Sequence, residues 1–79
     1  MINILDLRKR QVEMQRLSNR ELEVVKLISE GLSNREIADR LFISIHTVKS
    51  IVENIYLKLE IHNRVILAIR YVEYAKKEP

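Results

Sequence analysis

Residues that interrupt helices are almost missing from this 79-residue chain, and this restricts its fold more than any other feature. The chain contains one glycine, Gly31, and one proline, Pro79, which is the last residue. Because glycine and proline supply most tight turns, few positions suit β-hairpins. The β-branched residues recur at helical spacing and do not alternate strictly. The sequence therefore predicts an all-α domain.

Length and composition exclude several classes of protein. A chain of 79 residues makes one small domain, in which a deep catalytic cleft is difficult to build. It has no cysteine, and therefore no disulfide and no thiolate metal site. No apolar run approaches the ~20 residues that cross a bilayer, and the N-terminus lacks the pattern of a signal peptide. We expect a cytoplasmic protein without a membrane partner.

The five residues LSNRE occur twice, at residues 17–21 and 32–36. In each copy the serine can cap a helix by accepting the N–H three residues on, and the glutamate can accept the serine N–H in return. The leucine before each serine can pack on Leu22 or Ile37 in the following turn. These two conditions favour two helix starts over chance repetition. Gly31 suits the end of the first helix, since glycine adopts left-handed backbone angles without strain.

The second of these helices is short. Its apolar positions predict one buried stripe of about two turns, formed by Ile37, Ala38, Leu41 and Phe42. Ser44 can cap a third helix after a connection of only three residues, 42–44. A short helix, a tight connection and a longer helix together predict a helix-turn-helix.

The third helix has two different sides. An apolar stripe predicts core packing at Val48, Ile51, Val52, Ile55 and Leu59. The opposite side carries the ammonium, amide, carboxylate and hydroxyl groups that bind base edges and phosphates, although a solvated helix face has the same appearance. The first turn holds no carboxylate, so the positive end of the helix dipole is either open to an external anion or capped well enough by Ser44.

A fourth helix is predicted from near Asn63 to about Lys76. It is apolar almost all round, and one face must pack on the domain. The remaining apolar surface needs a second cover, which is either another copy of the chain or the N-terminal segment of the same copy. We interpret residues 1–16 as a helical arm or linker whose basic cluster, residues 8–10, either lies near DNA or is solvated. Residues 17–76 then form a four-helix bundle and residues 77–79 a tail.

Two long stretches carry a resemblance to a known family. They are LSNRELEVVKLISEGLSNREIADRLFIS and TVKSIVENIYLKLEIHNR, within residues 17–70. This part of the chain resembles the LuxR-type helix-turn-helix DNA-binding domain, which is also the output domain of NarL-type response regulators and MalT-like activators. The resemblance implies a bacterial transcription regulator that binds double-stranded DNA, with residues 36–42 as the scaffold helix and about 45–59 as the recognition helix in the major groove.

The resemblance also implies roles for individual residues. Base contacts fall on Lys49, Ser50 and Glu53. Phosphate contacts fall on Ser33, Asn34, Arg35, Ser44, Thr47, Asn54 and Lys58. Glu21 and Arg64 match an ion pair that joins the first helix to the last. The family commonly forms homodimers through its last helix, which places Val65, Ile66, Ile69 and Val72 at the dimer interface.

Four positions depart from the family pattern. Ile51 replaces a usual histidine, and Glu60 replaces the glycine that commonly ends the recognition helix. Leu67 and Tyr71 stand where the last helix usually carries alanines. Their side chains are larger and lie near the packing interface, so the geometry of a dimer is expected to differ from that of the family.

Neither an enzyme nor a cofactor site is predicted. His46 and His62 stand alone, without the spacing of metal ligands or of a proton-transfer pair, and the serines occupy capping positions. We expect no metal, no small-molecule ligand and no catalysis, with DNA, a second copy and RNA polymerase as candidate partners. Two alternatives remain open from the sequence: a sigma-factor-like promoter-recognition domain, and a helical module that binds another protein.

Overall fold

The computed structural model describes residues 13–76, which form four helices and no strand. The helices are α1 (Asn19–Ser29), α2 (Asn34–Leu41), α3 (Ile45–Leu59) and α4 (Arg64–Lys76), and residues 13–15 form a helical turn before α1. The predicted all-α class is confirmed. Between residues 13 and 76 no helix has the length and apolar character that crossing a membrane requires. The rest of the predicted arm, residues 1–12, and the tail, 77–79, lie outside the described residues.

Both copies of LSNRE begin a helix, as predicted. The Ser18 N–H donates to Glu21 Oε1 at 2.8 Å, and the Glu21 N–H donates to Ser18 Oγ at 3.1 Å. The Ser33 N–H donates to Glu36 Oε1 at 2.8 Å, and the Glu36 N–H donates to Ser33 Oγ at 3.2 Å. Each capping box satisfies two backbone donors that a helix start leaves without a partner.

The first helix ends at its glycine. Gly31 has φ +90°, and its N–H donates to the Ile28 carbonyl at 3.0 Å. The Leu32 N–H donates to the Leu27 carbonyl at 3.1 Å, which completes a Schellman motif. The predicted C′ position of Gly31 is confirmed, and this motif turns the chain directly into α2.

The remaining helix starts also follow prediction. Ser44 Oγ accepts the Thr47 N–H at 3.0 Å at the start of α3. Asn63 Oδ1 accepts the N–H groups of Val65 and Ile66, at 2.8 and 3.1 Å, at the start of α4. Since each cap needs only a side-chain oxygen within three residues of the donor, the sequence alone was sufficient to locate these starts.

The core lies between α1 and its neighbours, since α1 packs on α2, α3 and α4, and α2 packs on α3. The largest fully buried side chains are Met14, Val24, Val25, Ile37, Val48, Ile55 and Leu67. Met14 is only 1% exposed, and Glu13 Oε2 lies 3.3 Å from the Arg70 guanidinium. The last residues of the segment that we assigned to the arm therefore pack on the bundle.

Phe42 corrects the predicted buried stripe of the second helix. Its side chain is 94% exposed, while Ile37 and Ala38 are buried as expected. The helix ends at Leu41, and Phe42 adopts left-handed backbone angles, φ 58° and ψ 43°. The i+5 position would face the core only if the helix continued, so this turn directs the ring into solvent.

Glu60 ends α3 in left-handed backbone angles, φ 55° and ψ 42°. A residue with a Cβ is strained there by roughly 1–2 kcal/mol, whereas glycine is not. Glycine also gains entropy in the unfolded chain, which offsets part of this benefit. We expect Glu60→Gly to raise the free energy of unfolding by about 0.5–1 kcal/mol, measured by denaturant titration. Glu60→Ala, which keeps the strain, serves as the control, and equal stabilities of the two variants would contradict the prediction.

Candidate nucleic-acid interface

The outer side of α3 is polar and open. Val48, Val52, Ile55 and Leu59 are buried against the bundle, and this turns the opposite side outward. Lys49, Ser50 and Glu53 are all exposed, and within residues 13–76 none of the three side chains has a hydrogen-bond or ion-pair partner. Glu53 follows Lys49 by four residues, a spacing that permits an ion pair. Because that pair does not form, the ammonium and the carboxylate are both available to a ligand.

The start of α3 is also suited to an anion. Its first turn contains no acidic residue, so no side chain of the helix neutralises the positive end of the dipole. The hydroxyls of Ser44 and Thr47 lie 2.9 Å apart at this end, and both residues are exposed. Asn54 is exposed further along the same helix. All three residues are thus accessible to a ligand, and their contacts with phosphate stay predictions.

The start of α2 holds three more of the predicted phosphate contacts. Ser33 and Arg35 are exposed, and Asn34 is half-buried. The Ser33 hydroxyl already serves as the helix cap. Asn34 and Arg35 are the first two residues of the helix, whose backbone N–H groups have no partner inside a helix. This end of α2 therefore offers donors as well as the charge of Arg35.

The predicted ion pair between Glu21 and Arg64 does not form. Lys58 Nζ donates to Glu21 Oε1 at 2.8 Å instead. The Arg64 guanidinium donates to Asn34 Oδ1 at 2.8 Å and to the Leu32 carbonyl at 2.9 Å. The packing of α1 on α3 brings the last turn of α3 beside Glu21, whereas Arg64 faces the connection between α1 and α2. The contacts therefore join α1 to α3 and α4 to α2.

Lys58 is thus both an ion-pair partner and a predicted phosphate contact. Its side chain remains 44% exposed, while that of Glu21 is 10% exposed. An ammonium carries three donors, and the bond to Glu21 uses one of them. The remaining donors are free to meet a second acceptor, so the phosphate contact stays a prediction.

The environment of Glu21 makes the stability of the bundle depend on pH. Burial raises the pKa of the carboxyl, but the hydrogen bond from Lys58, the bonds from Ser18 and the Lys58 charge outweigh it, and the net pKa is lowered. A group with a lower pKa in the folded state stabilises above its unfolded pKa, near 4.5, and this contribution is lost as the pH falls through the folded value. We expect Glu21→Gln to reduce stability at neutral pH by about 1–2 kcal/mol and to weaken the acid dependence below about pH 4.5.

Glu23→Gln is the matched control for this measurement. Glu23 pairs with Arg20 at 3.4 Å, but both side chains are about half exposed, and such pairs contribute little. Glutamine at position 21 can still accept the Ser18 N–H, so the change removes charge and not the cap. Urea titrations at several pH values should separate the two variants, and identical pH profiles would contradict the role of Glu21.

The fourth helix presents an apolar surface on the side away from the core. Leu67 is fully buried, whereas Val65, Ile66, Ile69 and Val72 are 66, 43, 52 and 40% exposed. Val65, Ile69 and Val72 follow the spacing i, i+4, i+7 and therefore share one face. Residues 13–16 leave this face uncovered, although Met14 and Glu13 contact the bundle elsewhere.

One exposed residue of α3 was absent from the sequence prediction. Leu57 is 73% exposed and lies four residues after Glu53, on the same outer side as Ser50. Its outward position follows from its spacing, but its apolar side chain is not part of the polar pattern from which this side of α3 was predicted. His46 and His62 are exposed, His62 in the connection before α4. Among the described residues no group of three or more His, Asp or Glu side chains is arranged to hold a metal ion.

A short helix, a tight turn and a second helix with an open polar side define the class of helix-turn-helix DNA-binding domains. Residues 15–71, which include most of the chain, match the family described as bacterial regulatory proteins, luxR family. The chain belongs to this LuxR family, and it is a DNA-binding domain of transcription regulation.

Three curated relatives illustrate this membership. A nitrate/nitrite response regulator protein homolog of Haemophilus influenzae is 44% identical over 57 residues, covering 72% of this chain and 27% of its own length. The transcriptional regulatory protein LiaR of Bacillus subtilis is 47% identical over 53 residues, covering 67% of this chain and 25% of its own length. The fimbriae Z protein of Escherichia coli is 47% identical over 60 residues, covering 76% of this chain and 27% of its own length. The chain spans about a quarter of the length of these relatives.

Proposed function

We propose that the domain recognises a specific duplex sequence by placing α3 in the major groove. The observation that carries this proposal is the open outer side of α3, where Lys49, Ser50 and Glu53 are exposed and have no side-chain partner among residues 13–76. A lysine ammonium can donate to guanine O6 or N7, and a carboxylate can accept from the cytosine amine. Ser50 can donate to or accept from either partner of a base pair. Glu53 contributes discrimination, because a carboxylate near phosphates does not favour affinity.

Affinity comes mainly from the DNA backbone in this proposal. The residues assigned to phosphates lie at the starts of α2 and α3 and along the flank of α3: Ser33, Asn34, Arg35, Ser44, Thr47, Asn54 and Lys58. Such contacts orient the protein on the duplex and release condensed counterions. Binding should therefore weaken steeply as the salt concentration rises.

The domain acts as a homodimer in this proposal. Val65, Ile66, Ile69 and Val72 supply an apolar face on α4 that the described residues leave exposed. Contact between two such faces would place two α3 helices on one duplex. We further propose that the domain works in the bacterial cytoplasm as part of a longer regulator, and that RNA polymerase is its partner in transcription. The regulatory names of the longer relatives support this reading.

Selection from a random duplex pool, followed by salt titration, tests the proposal. We expect enrichment of a sequence with two half-sites, with centres about 10 bp apart if adjacent major grooves on one face are used. The logarithm of affinity should fall linearly with the logarithm of salt concentration, by roughly 0.9 for each phosphate neutralised. Absence of any binding at low salt would overturn the proposal. Tight binding to a protein in that case would instead favour a protein-interaction module.

A further inference from the structure

Arg64 connects the start of α4 to the start of α2. Its guanidinium donates to Asn34 Oδ1 at 2.8 Å and to the Leu32 carbonyl at 2.9 Å, and both contacts are partly buried. A guanidinium is a planar fork of donors that cannot lose its proton in proteins. It therefore holds two acceptors at once, one on each side of the Ser33 cap.

This contact determines the direction of the Asn34 amide. A guanidinium only donates, so the Asn34 atom that meets it must be the oxygen. The amide –NH₂ group then points away from Arg64, at the end of α2 where the first backbone N–H groups also lack helical partners. Asn34 is half-buried, and Arg35 beside it is exposed.

We propose that Arg64 is a positioning residue for DNA binding, which holds the Asn34 oxygen so that the Asn34 amide donates to a phosphate of the duplex. The inference rests on the proposed function and adds to it a residue that does not itself contact DNA. Arg64 acts by preorganisation, because a side chain already fixed in its binding conformation loses less entropy on association.

The surrounding contacts make this positioning rigid. The Leu32 N–H is bound to the Leu27 carbonyl, and its own carbonyl accepts from Arg64. In the capping box the Ser33 N–H donates to the Glu36 carboxylate, and the Ser33 hydroxyl accepts the Glu36 N–H. Arg64 likewise binds the side-chain oxygen of Asn34, so both the backbone of this segment and the Asn34 amide have fixed partners.

A double-mutant cycle on the 79-residue chain tests the inference, using the duplex recovered by selection. Arg64→Lys keeps the charge but lacks the fork, and Asn34→Ala removes the amide. We expect each change to weaken binding about five-fold, the effect of losing one hydrogen bond. The double variant should be no weaker than Asn34→Ala alone, because both changes remove one contact. A double variant weaker by about 25-fold, or an unchanged affinity for either single variant, would overturn the inference.

A measurement on the unaltered chain does not depend on the variants folding. The Asn34 side-chain amide resonances should shift when the duplex is added, and a neutral methylphosphonate at one backbone position should abolish that shift. Amide resonances that stay unchanged on saturation would contradict the inference. Salt-dependent binding without coupling between Arg64 and Asn34 would refute the inference alone, whereas failure of the unaltered chain to bind DNA would refute the proposed function as well.

Discussion

Lys49→Ala is expected to weaken binding to the selected duplex by roughly 1–3 kcal/mol, about five- to 150-fold. Lys49 is exposed on the outer side of α3, and no carboxylate of the part of the chain that the structure describes pairs with it. Its ammonium can therefore reach a guanine edge or a phosphate without first breaking an ion pair. If it reads a base, the variant should also tolerate changes at that base pair, which the selection experiment would report as lost preference at one position of each half-site.

Lys26→Ala is the matched control for Lys49→Ala. Lys26 is an exposed lysine of α1, so both variants lose the same charge from the surface. Nonspecific attraction to DNA should fall similarly in the two proteins, whereas specific binding should fall mainly in Lys49→Ala. A fluorescence anisotropy titration at constant salt would show the difference. Equal losses in both variants would show that α3 does not lie in the groove.

Ile69→Asp is expected to weaken binding to a duplex with two half-sites by about 100-fold or more, the usual advantage of two linked contacts. Ile69 is 52% exposed in the middle of the apolar face of α4, opposite the fully buried Leu67. A carboxylate there would be desolvated in a dimer but remain hydrated in the monomer. The domain should therefore stay folded, with an unchanged helical circular dichroism spectrum, while sedimentation shows only monomers.

Ala75→Asp controls for the added negative charge. Ala75 is exposed in the last turn of the same helix, three residues after Val72, and therefore lies at the edge of the apolar face and not in its middle, where Ile69 lies. Both variants change the net charge equally, so any general repulsion from DNA is shared. A duplex with one half-site should bind Ile69→Asp and the unaltered chain with similar affinity. If Ile69→Asp still sediments as a dimer, the proposed interface on α4 is wrong.

The starts and ends of the helices were predictable because their causes are local. Ser18, Ser33, Ser44 and Asn63 each accept an N–H no more than three residues away. Gly31 ends α1 because only glycine adopts φ +90° without strain. The open side of α3 was predictable for a similar reason, since burying Val48, Val52 and Ile55 on one side of a helix directs Lys49 and Ser50 away.

The contacts between helices were not predictable in the same way. Lys58 meets Glu21 across 37 residues and Arg64 meets Asn34 across 30, so both depend on how the helices cross. Phe42 became exposed because α2 ended one residue before it, and Met14 became buried because the chain before α1 packs on the bundle. Local hydrogen bonds and side-chain periodicity specify the helices and their polar faces. Contacts between residues distant in the sequence depend on how whole helices pack against one another. No rule of sequence spacing predicts which charged side chains this packing brings together.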